Sequence, residues 1–269
     1  MRKFFGYLML ILIAVSMLYP FFAMVYLSFI PNGEIFSQNP LHTNLTLDNY
    51  KSVFGQIPLS IYFLNSLIVA SVSTFGQVII AALAGYAFAR LDFRYKNPLF
   101  LLILITMLVP PQVNIIPLFF LMRELHLIDT YQAMILPALF GGFGVFFMRQ
   151  YFLRLPKDLE DSARIDGCNL FQTFFKIAFP LALPAVAALA VFTFVSVWNS
   201  FMWPLIVTNS ENMRTLPVGL AVYKGSFREI TLWGELLACS VICTIPAAGV
   251  FLLGKKYFIT DLMQGAVKE

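Results

Sequence analysis

Charged side chains are scarce in this chain of 269 residues. They make up 12% of it, about half of the roughly 25% found in an average soluble domain. No block of basic residues suggests nucleic acid as a partner, and the net charge is only +4. Hydrophobic residues reach 59% and gather in long runs that a soluble domain could not keep from water. The composition therefore predicts an integral membrane protein that is surrounded by lipid.

Cysteine and histidine are also rare, with three and two residues. Three scattered cysteines are too few for a disulfide framework, and Cys239 and Cys243, one helical turn apart in an apolar run, are interpreted as packing residues. His42 and His126 lie in predicted outer segments and are interpreted as surface residues. The run 249–256 imitates a phosphate-binding loop but ends in lysine where that motif needs serine or threonine. We therefore expect no metal site, no cofactor and no catalytic group, and the chain is predicted not to be an enzyme.

Six apolar stretches are long enough to cross a bilayer, which takes about 20 helical residues. Because lipid offers no partner to backbone polar groups, each stretch must be helical where it faces lipid. The first follows Met1-Arg2-Lys3 and resembles a signal peptide, but it continues to Ile30 without a cleavage site and is interpreted as a membrane helix. The sequence thus predicts an all-α protein with six transmembrane helices. The six stretches are 6–29, 62–89, 99–122, 131–152, 179–207 and 236–253.

The distribution of lysine and arginine predicts the orientation, because cytoplasmic connections carry an excess of both. If the N-terminus is cytoplasmic, 13 of the 18 basic residues lie inside and five lie outside. Both termini are therefore predicted to be cytoplasmic. We divide the chain into residues 1–60, a first helix with an outer loop, and residues 61–269, a five-helix core with a short cytoplasmic tail.

Prolines interrupt the third predicted span at Pro110, Pro111 and Pro117, with Gln112 and Asn114 between them. Proline removes a helix donor and kinks the chain. Unwound backbone at membrane depth is tolerated only where protein or a water-filled cavity satisfies it. The pattern indicates either a bent helix beside a solute path or a kink that merely helps packing.

The polar residues within the spans are almost all neutral, which argues against a carrier driven by ions. Amides and aromatic faces suit sugar hydroxyls and rings, whereas serine and threonine often only hold membrane helices together. The candidates for the solute path are Trp198, Asn199, Trp203, Gln112 and Asn114.

The inner connection between the fourth and fifth predicted spans holds a distinct pattern. Glu160 and Asp161 belong to an acidic helix start, and Gly167 suits a left-handed helix stop. Phe171, Phe174, Phe175 and Ile177 would give a second helix an apolar stripe. The pattern predicts two short helices with a sharp turn between them, as a docking element for a partner or as ordinary amphipathic surface helices.

The same connection resembles a family motif. Permeases of ATP-binding-cassette importers carry Glu-Ala-Ala, three residues, Gly, nine residues and Ile-x-Leu-Pro. This chain has Asp161-Ser162-Ala163, three residues, Gly167, nine residues and Ile177-Ala178-Phe179-Pro180. Asp161, Ser162 and Phe179 depart mildly from the motif. The run Ile165-Asp166-Gly167 resembles the carbohydrate branch, and residues 198–205, 214–220 and 256–268 resemble the smaller permease of maltose-type importers.

The resemblance implies a mechanism, partners and a location in the cytoplasmic (inner) membrane of a prokaryote. In relatives the short helix inserts into a cleft of an ATPase subunit, whose closure on ATP opens the central path alternately to either side. The implied partners are a second homologous permease, a dimer of ATPase subunits and an extracytoplasmic solute-binding protein, which we expect at the outer segment 208–235. The alternative is a stand-alone carrier or facilitator for a small polar solute. The implied ATPase-coupling residues are Asp161, Ser162, Ala163, Arg164, Asp166 and Gly167.

Overall fold

The structure, a computed structural model, describes residues 2–36, 44–226 and 232–266, and within them every regular element is a helix. His42, residues 227–231 of the outer segment 208–235 and the end of the segment 256–268 lie outside the described residues. The α-helices are α1 (Arg2–Ser28), α2 (Asp48–Gln56), α3 (Leu59–Arg90), α4 (Lys96–Thr106), α5 (Ile115–Glu124), α6 (Tyr131–Ile135), α7 (Gly142–Arg154), α8 (Asp158–Ile165), α9 (Leu170–Thr173), α10 (Phe179–Leu181), α11 (Leu183–Trp198), α12 (Met202–Val207), α13 (Leu216–Ser226) and α14 (Trp233–Ala266).

The described residues contain four helical segments that are long and apolar enough to cross a membrane, and two bent helix pairs that bring the number to six. Each of the six overlaps one of the stretches predicted from the sequence. The all-α membrane fold is therefore confirmed, with four to six candidate spans. The four single segments are Phe4–Ser28, Leu59–Arg90, Tyr131–Arg154 and Trp233–Lys256.

The third predicted span is bent at its prolines. Helix α4 and the segment Pro111–Glu124 meet at an angle of 92°. Pro110 has no backbone N–H and an extended conformation, and Pro111 opens a 3-10 turn, Pro111–Asn114, that leads into α5. The predicted kink is confirmed, and the bend results from the missing proline donors.

The fifth predicted span differs from the sequence-based prediction of an unbroken helix over 179–207. Helical structure begins earlier, and the segments Leu170–Leu181 and Leu183–Trp198 meet at an angle of 75°. The chain then leaves the helix after Trp198 and forms α12 as a separate element. Pro180 and Pro184, on either side of the bend, each lack the N–H that an α-helical ladder needs, and a π-helical turn, Phe174–Ala178, precedes the bend.

The described residues fall into two compact units, of which the first contains Met1–Phe63 and Thr215–Pro246. In this unit the buried amide of Asn49 donates hydrogen bonds to the carbonyl oxygens of Ser28 and Ile30, both over 2.8 Å. The first bond satisfies a carbonyl group that the end of α1 leaves open, and the second satisfies one in the turn just beyond it. The sequence-based division into 1–60 and 61–269 separates the first predicted membrane helix from the other five. It stays a prediction.

The second unit contains Leu64–Arg214 and Ala247–Glu269. Its main hydrophobic cluster joins α3, α7 and α11 through buried residues such as Ala82, Met148 and Leu189. Close packing depends on Gly85, where a Cβ atom would lie 2.7 Å from Cβ of Met148. Small residues at such crossings let two membrane helices approach each other.

Asp129 fixes the start of the segment that follows α12. Its carboxylate accepts hydrogen bonds from the backbone N–H groups of Asn209 and Ser210, over 2.8 and 3.0 Å. Partial burial acts to raise the pKa of Asp129, but the hydrogen bonds from Ser210 and Asn209 outweigh it and hold the pKa below the ordinary value of 3.8. The carboxylate is thus favoured in its charged form.

Candidate coupling site and solute path

Helix α8 ends in a geometry that only glycine adopts easily. Gly167 has a φ of +82°, and its N–H donates to the carbonyl of Arg164 over 3.0 Å. The N–H of Cys168 donates to the carbonyl of Ala163 over 2.9 Å. The two bonds form a Schellman motif, in which the left-handed residue stops the helix and satisfies its last carbonyls.

The next helix begins two residues further on. The side chain of Asn169 accepts from the N–H of Gln172, and the side chain of Gln172 accepts from the N–H of Asn169, both over 2.9 Å. This reciprocal capping box satisfies two donors at the start of α9. The predicted pair of short helices with a sharp turn at Gly167 is therefore present.

The apolar stripe predicted for the second helix is only partly buried. Phe174 is 3% exposed and belongs to the main cluster of the second unit. Phe171 and Phe175 are 69% and 56% exposed. Only part of the predicted stripe is thus buried within the chain, and the π-helical turn Phe174–Ala178 interrupts its regular α-helical spacing.

Helix α8 presents most of its predicted coupling residues to the outside. Its buried side chains are Glu160 and Ala163, so Ala163 packs inward. Two apolar residues, Leu159 and Ile165, are exposed, and Ile165 is exposed to 87%. The exposed coupling residues are Asp161, Ser162, Arg164, Asp166 and Gly167.

A buried ion pair holds the inner face of α8 to the end of α3. Arg90 Nε donates to Glu160 Oε1 over 2.8 Å, and the two side chains are only 3% and 6% exposed. The hydroxyl of Tyr86 donates to Glu160 Oε2 over 3.0 Å. Arg90 Nη2 also donates to the carbonyl of Leu155 over 2.5 Å. We call Arg90, Glu160 and Tyr86 the α3–α8 clamp.

Aromatic rings surround the clamp and keep water from it. The ring of Tyr86 lies 5.4 Å from that of Phe152 and 5.1 Å from that of Phe174, measured between centroids. A buried charge without its partner is strongly destabilising. The sequence alone gives no sign of the clamp, because Arg90 is one of 13 basic residues predicted to lie inside and Glu160 is one of several acids at a helix start.

The predicted path residues at the first bend are all exposed. Gln112 and Asn114 lie in the 3-10 turn Pro111–Asn114, between α4 and α5. Neither side chain contributes to the hydrophobic core, and both amides can therefore meet water or solute.

The predicted path residues after α11 differ in their exposure. Asn199 is exposed. Trp198 is 2% exposed and stacks on Phe194, with ring centroids 5.8 Å apart. Trp203 donates from Nε1 to the carbonyl of Ala133 over 2.9 Å. Trp198 is therefore buried in the second unit, Trp203 is half-buried, and Asn199 is exposed.

Comparison with known families identifies the chain. The family model described as "Binding-protein-dependent transport system inner membrane component" matches residues 77–264, well over half of the chain. The chain belongs to this family. As an inner membrane component it is a multi-pass protein of the cytoplasmic membrane, and the permease resemblance of its motifs is confirmed.

Relatives and a solved structure cover nearly the whole inner membrane component. It is 39% identical to the arabinooligosaccharides transport system permease protein AraQ of Halalkalibacterium halodurans, over 95% of this chain and 93% of that protein. It is 36% identical to the trehalose/maltose transport system permease protein MalG of Thermococcus litoralis, over 96% of this chain and 94% of that protein. A crystal structure of a bacterial ABC transporter involved in the import of alginate has a chain with the same fold, with a TM-score of 0.82, 22% identity and 96% coverage of both chains.

Proposed function

We propose that this inner membrane component is one of two permease subunits of an ATP-driven importer for a sugar or sugar-like solute. AraQ and MalG, which are named for oligosaccharide and disaccharide transport, support the solute class because each aligns over nearly its whole length. The chain contributes the path across the membrane. ATP hydrolysis is assigned to partner subunits, and a second homologous permease completes the path.

The observation that carries this proposal is the two-sided character of α8. One side is held to α3 by the clamp between Arg90 and Glu160. Five of the six coupling residues predicted from the sequence are exposed, and Asp161 and Ser162 point away from the side that holds Glu160. A partner that moves α8 thereby moves the end of a long membrane helix.

The chemistry of the exposed face defines the groove that would receive α8. Leu159 and Ile165 supply apolar surface, while Asp158 and Asp161 lie in the negatively charged first turn. A groove with an apolar floor and basic groups near the start of α8 fits this face. In the proposed importer the groove belongs to a dimer of ATPase subunits, and α8 is the coupling helix.

The orientation of the proposal follows from the basic residues. With α8 on the cytoplasmic side, both termini are cytoplasmic and 13 of the 18 basic residues lie inside. The segment 208–235 then faces the outside, where an extracytoplasmic solute-binding protein would dock. Coupling requires that the ATPase bind the two arrangements of the permease with different affinity. Gln112, Asn114 and Asn199 are the exposed candidates for contact with the solute.

Reconstitution tests the proposal against a stand-alone carrier. The full importer, assembled from this chain, the second permease, the ATPase and the binding protein, should take up solute into proteoliposomes only with ATP. The chain alone should show no uptake. Uptake by the chain alone, without ATP, would support the carrier and overturn the proposal.

A surface variant tests the role of α8. Asp161→Ala combined with Ile165→Ala should abolish co-purification with the ATPase while the chain still inserts into the membrane. Asp48→Ala combined with Leu47→Ala is the matched control, since it removes an exposed acid and an exposed apolar residue at the start of another helix. If both variants retained the ATPase equally, the result would argue against α8 as the coupling helix.

A further inference from the structure

A cavity of about 450 Å³ opens at one end of three spans of the second unit. Its lining comes from the end of α3, the connection to α4, the start of α4 and the last two turns of α7. Because these spans end here, the cavity lies at the depth where the hydrocarbon core gives way to headgroups. Neither the coupling helix nor the predicted path residues contribute to its lining.

Arg149 is held in this cavity with its terminal nitrogens available. Its Nε donates to the carbonyl of Phe88 over 3.2 Å, and its Cζ lies 4.1 Å from the centre of the Phe100 ring. These contacts fix the plane of the guanidinium group through a hydrogen bond and a cation–π interaction. Among the described residues neither Nη atom of Arg149 has a hydrogen bond, and a guanidinium fork of this kind suits phosphate oxygens.

Lys96 is the second cation of the cavity. The side chain of Lys96 is only 21% exposed, and its Nζ lies 3.5 Å from Oδ1 of Asp92. The side chain of Asp92 is fully exposed. Such a loose surface pair contributes little. The lining thus carries two cations against one carboxylate, and Arg94, stacked over the ring of Tyr95 at 4.9 Å, adds positive charge beside it.

Apart from Asn97 and the hydroxyl of Tyr95 the remaining walls are apolar, and α4 carries exposed apolar residues beyond the cavity. Phe88, Phe93 and Leu153 line it. On α4, beyond the cavity, Leu99 and Leu102 are 47% and 61% exposed. A soluble anion would use the cations and leave the apolar surface open to water, whereas a phospholipid uses both.

We propose that this cavity binds the headgroup of an anionic phospholipid, with the phosphate against Arg149 and Lys96 and an acyl chain along the exposed side of α4. Basic pockets between membrane helices are a known form of anionic lipid recognition. A lipid held here contacts the connection between α3 and α4, one turn beyond Arg90 of the clamp. The proposal concerns the membrane-embedded chain and does not depend on the transported solute.

Photolabelling in nanodiscs tests the site on the full chain. Nanodiscs of phosphatidylcholine carry a small fraction of photoactivatable phosphatidylglycerol, and mass spectrometry locates the labelled peptides. Label should concentrate on residues 88–102 and 149–153. Unlabelled phosphatidylglycerol should displace it far better than unlabelled phosphatidylcholine, a comparison that needs no variant.

A charge-matched pair of variants separates a site from general attraction to the membrane. Lys96→Gln with Arg149→Gln should lower the labelling of these peptides by about tenfold or more, since each basic group near an anionic surface contributes to lipid affinity. Arg154→Gln with Lys157→Gln removes the same charge just outside the cavity and should leave the labelling nearly unchanged.

Three results would overturn the proposal. An equal loss in both double variants would indicate diffuse electrostatic attraction. Displacement of the label by excess inorganic phosphate would indicate a site for a soluble anion. Loss of the label in the assembled importer, with crosslinks from the same peptides to another subunit, would indicate a protein interface.

Discussion

Arg90 and Glu160 are 70 positions apart in the sequence, and their side chains meet in a buried ion pair with a nitrogen–oxygen distance of 2.8 Å. Arg90 is the last residue of α3, a helix of 32 residues. Glu160 is on the inner side of α8, whose outer side carries the proposed ATPase contacts. The pair therefore joins a surface helix to one of the longest elements of the membrane domain.

Loss of one partner of this pair should destabilise the chain strongly. Arg90→Met leaves the carboxylate of Glu160 buried without its cation, and we expect a loss of about 3–5 kcal/mol. Arg90→Met combined with Glu160→Met should recover most of it, because an apolar pair leaves no buried charge. Thermal unfolding in detergent of the purified single and double variants measures both changes in stability.

The matched control for the clamp is an ion pair of the same helix. Arg164 lies 3.9 Å from Asp161, and both side chains are more than half exposed. Arg164→Met should therefore change stability by no more than about 1 kcal/mol. A loss as large as that of Arg90→Met would contradict the distinction between the two pairs.

The turn after α8 should depend on the backbone conformation of Gly167. A Cβ added there meets nothing within 4 Å, so the penalty comes from the φ of +82°, which costs most side chains about 1–2 kcal/mol. Gly167→Val should reduce ATP-dependent uptake and co-purification with the ATPase, with the chain still inserted. Gly167→Asn should retain much of both, because asparagine tolerates the left-handed region.

Two outcomes would contradict this account of Gly167. Unchanged uptake with Gly167→Val would argue against α8 as the coupling helix. Equal losses with valine and asparagine would show that the partner excludes any side chain at this position, so that the requirement for glycine would lie in the interface.

The crossing of α3 and α7 should not accept a methyl group at Gly85. Its Cβ would lie 2.7 Å from Cβ of Met148 and 2.8 Å from the backbone nitrogen of Arg149. Gly85→Ala should therefore destabilise the chain by about 1–3 kcal/mol in thermal unfolding. Gly249→Ala is the control, since no atom lies within 4 Å of the added Cβ. Alanine is the better helix former, so a gain of up to about 1 kcal/mol is expected there.

Cysteine labelling should separate the solute path from the lipid surface. In a chain whose native cysteines are replaced by serine, Gln112→Cys and Asn199→Cys should react readily with a membrane-impermeant maleimide in the assembled importer. Ile116→Cys should react slowly, although Ile116 is 67% exposed, because a thiol in lipid does not form the reactive thiolate. Equal rates for Gln112→Cys and Ile116→Cys would exclude position 112 from the path.

The segment that follows α12 should loosen in acid. The pKa of Asp129 lies below 3.8, so its stabilising effect is complete above the ordinary pKa and is lost as the pH falls through the lowered one. The amides of Asn209 and Ser210 should lose protection from hydrogen exchange in that range, after correction for intrinsic rates. In Asp129→Asn this acid-induced loss of amide protection should not occur. If it still occurred, the titrating group would be another residue.

The sequence predicted the membrane fold well because bilayer thickness imposes a length and a composition on every span. The bend in the third span was also predictable, since Pro110 and Pro111 remove donors at adjacent positions. The end of the fifth span was not. The apolar residues that follow Asn199 and Ser200 conceal the break after Trp198, and the hydrogen bond from Trp203 to the carbonyl of Ala133 is a tertiary contact that composition does not reveal.

The candidate site was predictable where its signals are local. The acids at the start of α8 and the glycine at its end act within one or two turns, and both are where the pattern places them. The clamp depends on a contact between residues 70 positions apart. Nothing near Glu160 distinguishes it from Asp158 and Asp161, so the sequence taken by itself gives no sign that only Glu160 of these three acids is buried.

The corner between α8 and α9 has a further consequence. A Schellman motif closes one side of it and a capping box closes the other, so its terminal amides and carbonyls are satisfied within the chain. Such a corner keeps its shape before any subunit reaches it and loses little conformational entropy on assembly. Substitutions on its outer surface should consequently alter how long the subunits stay together more than how fast they meet.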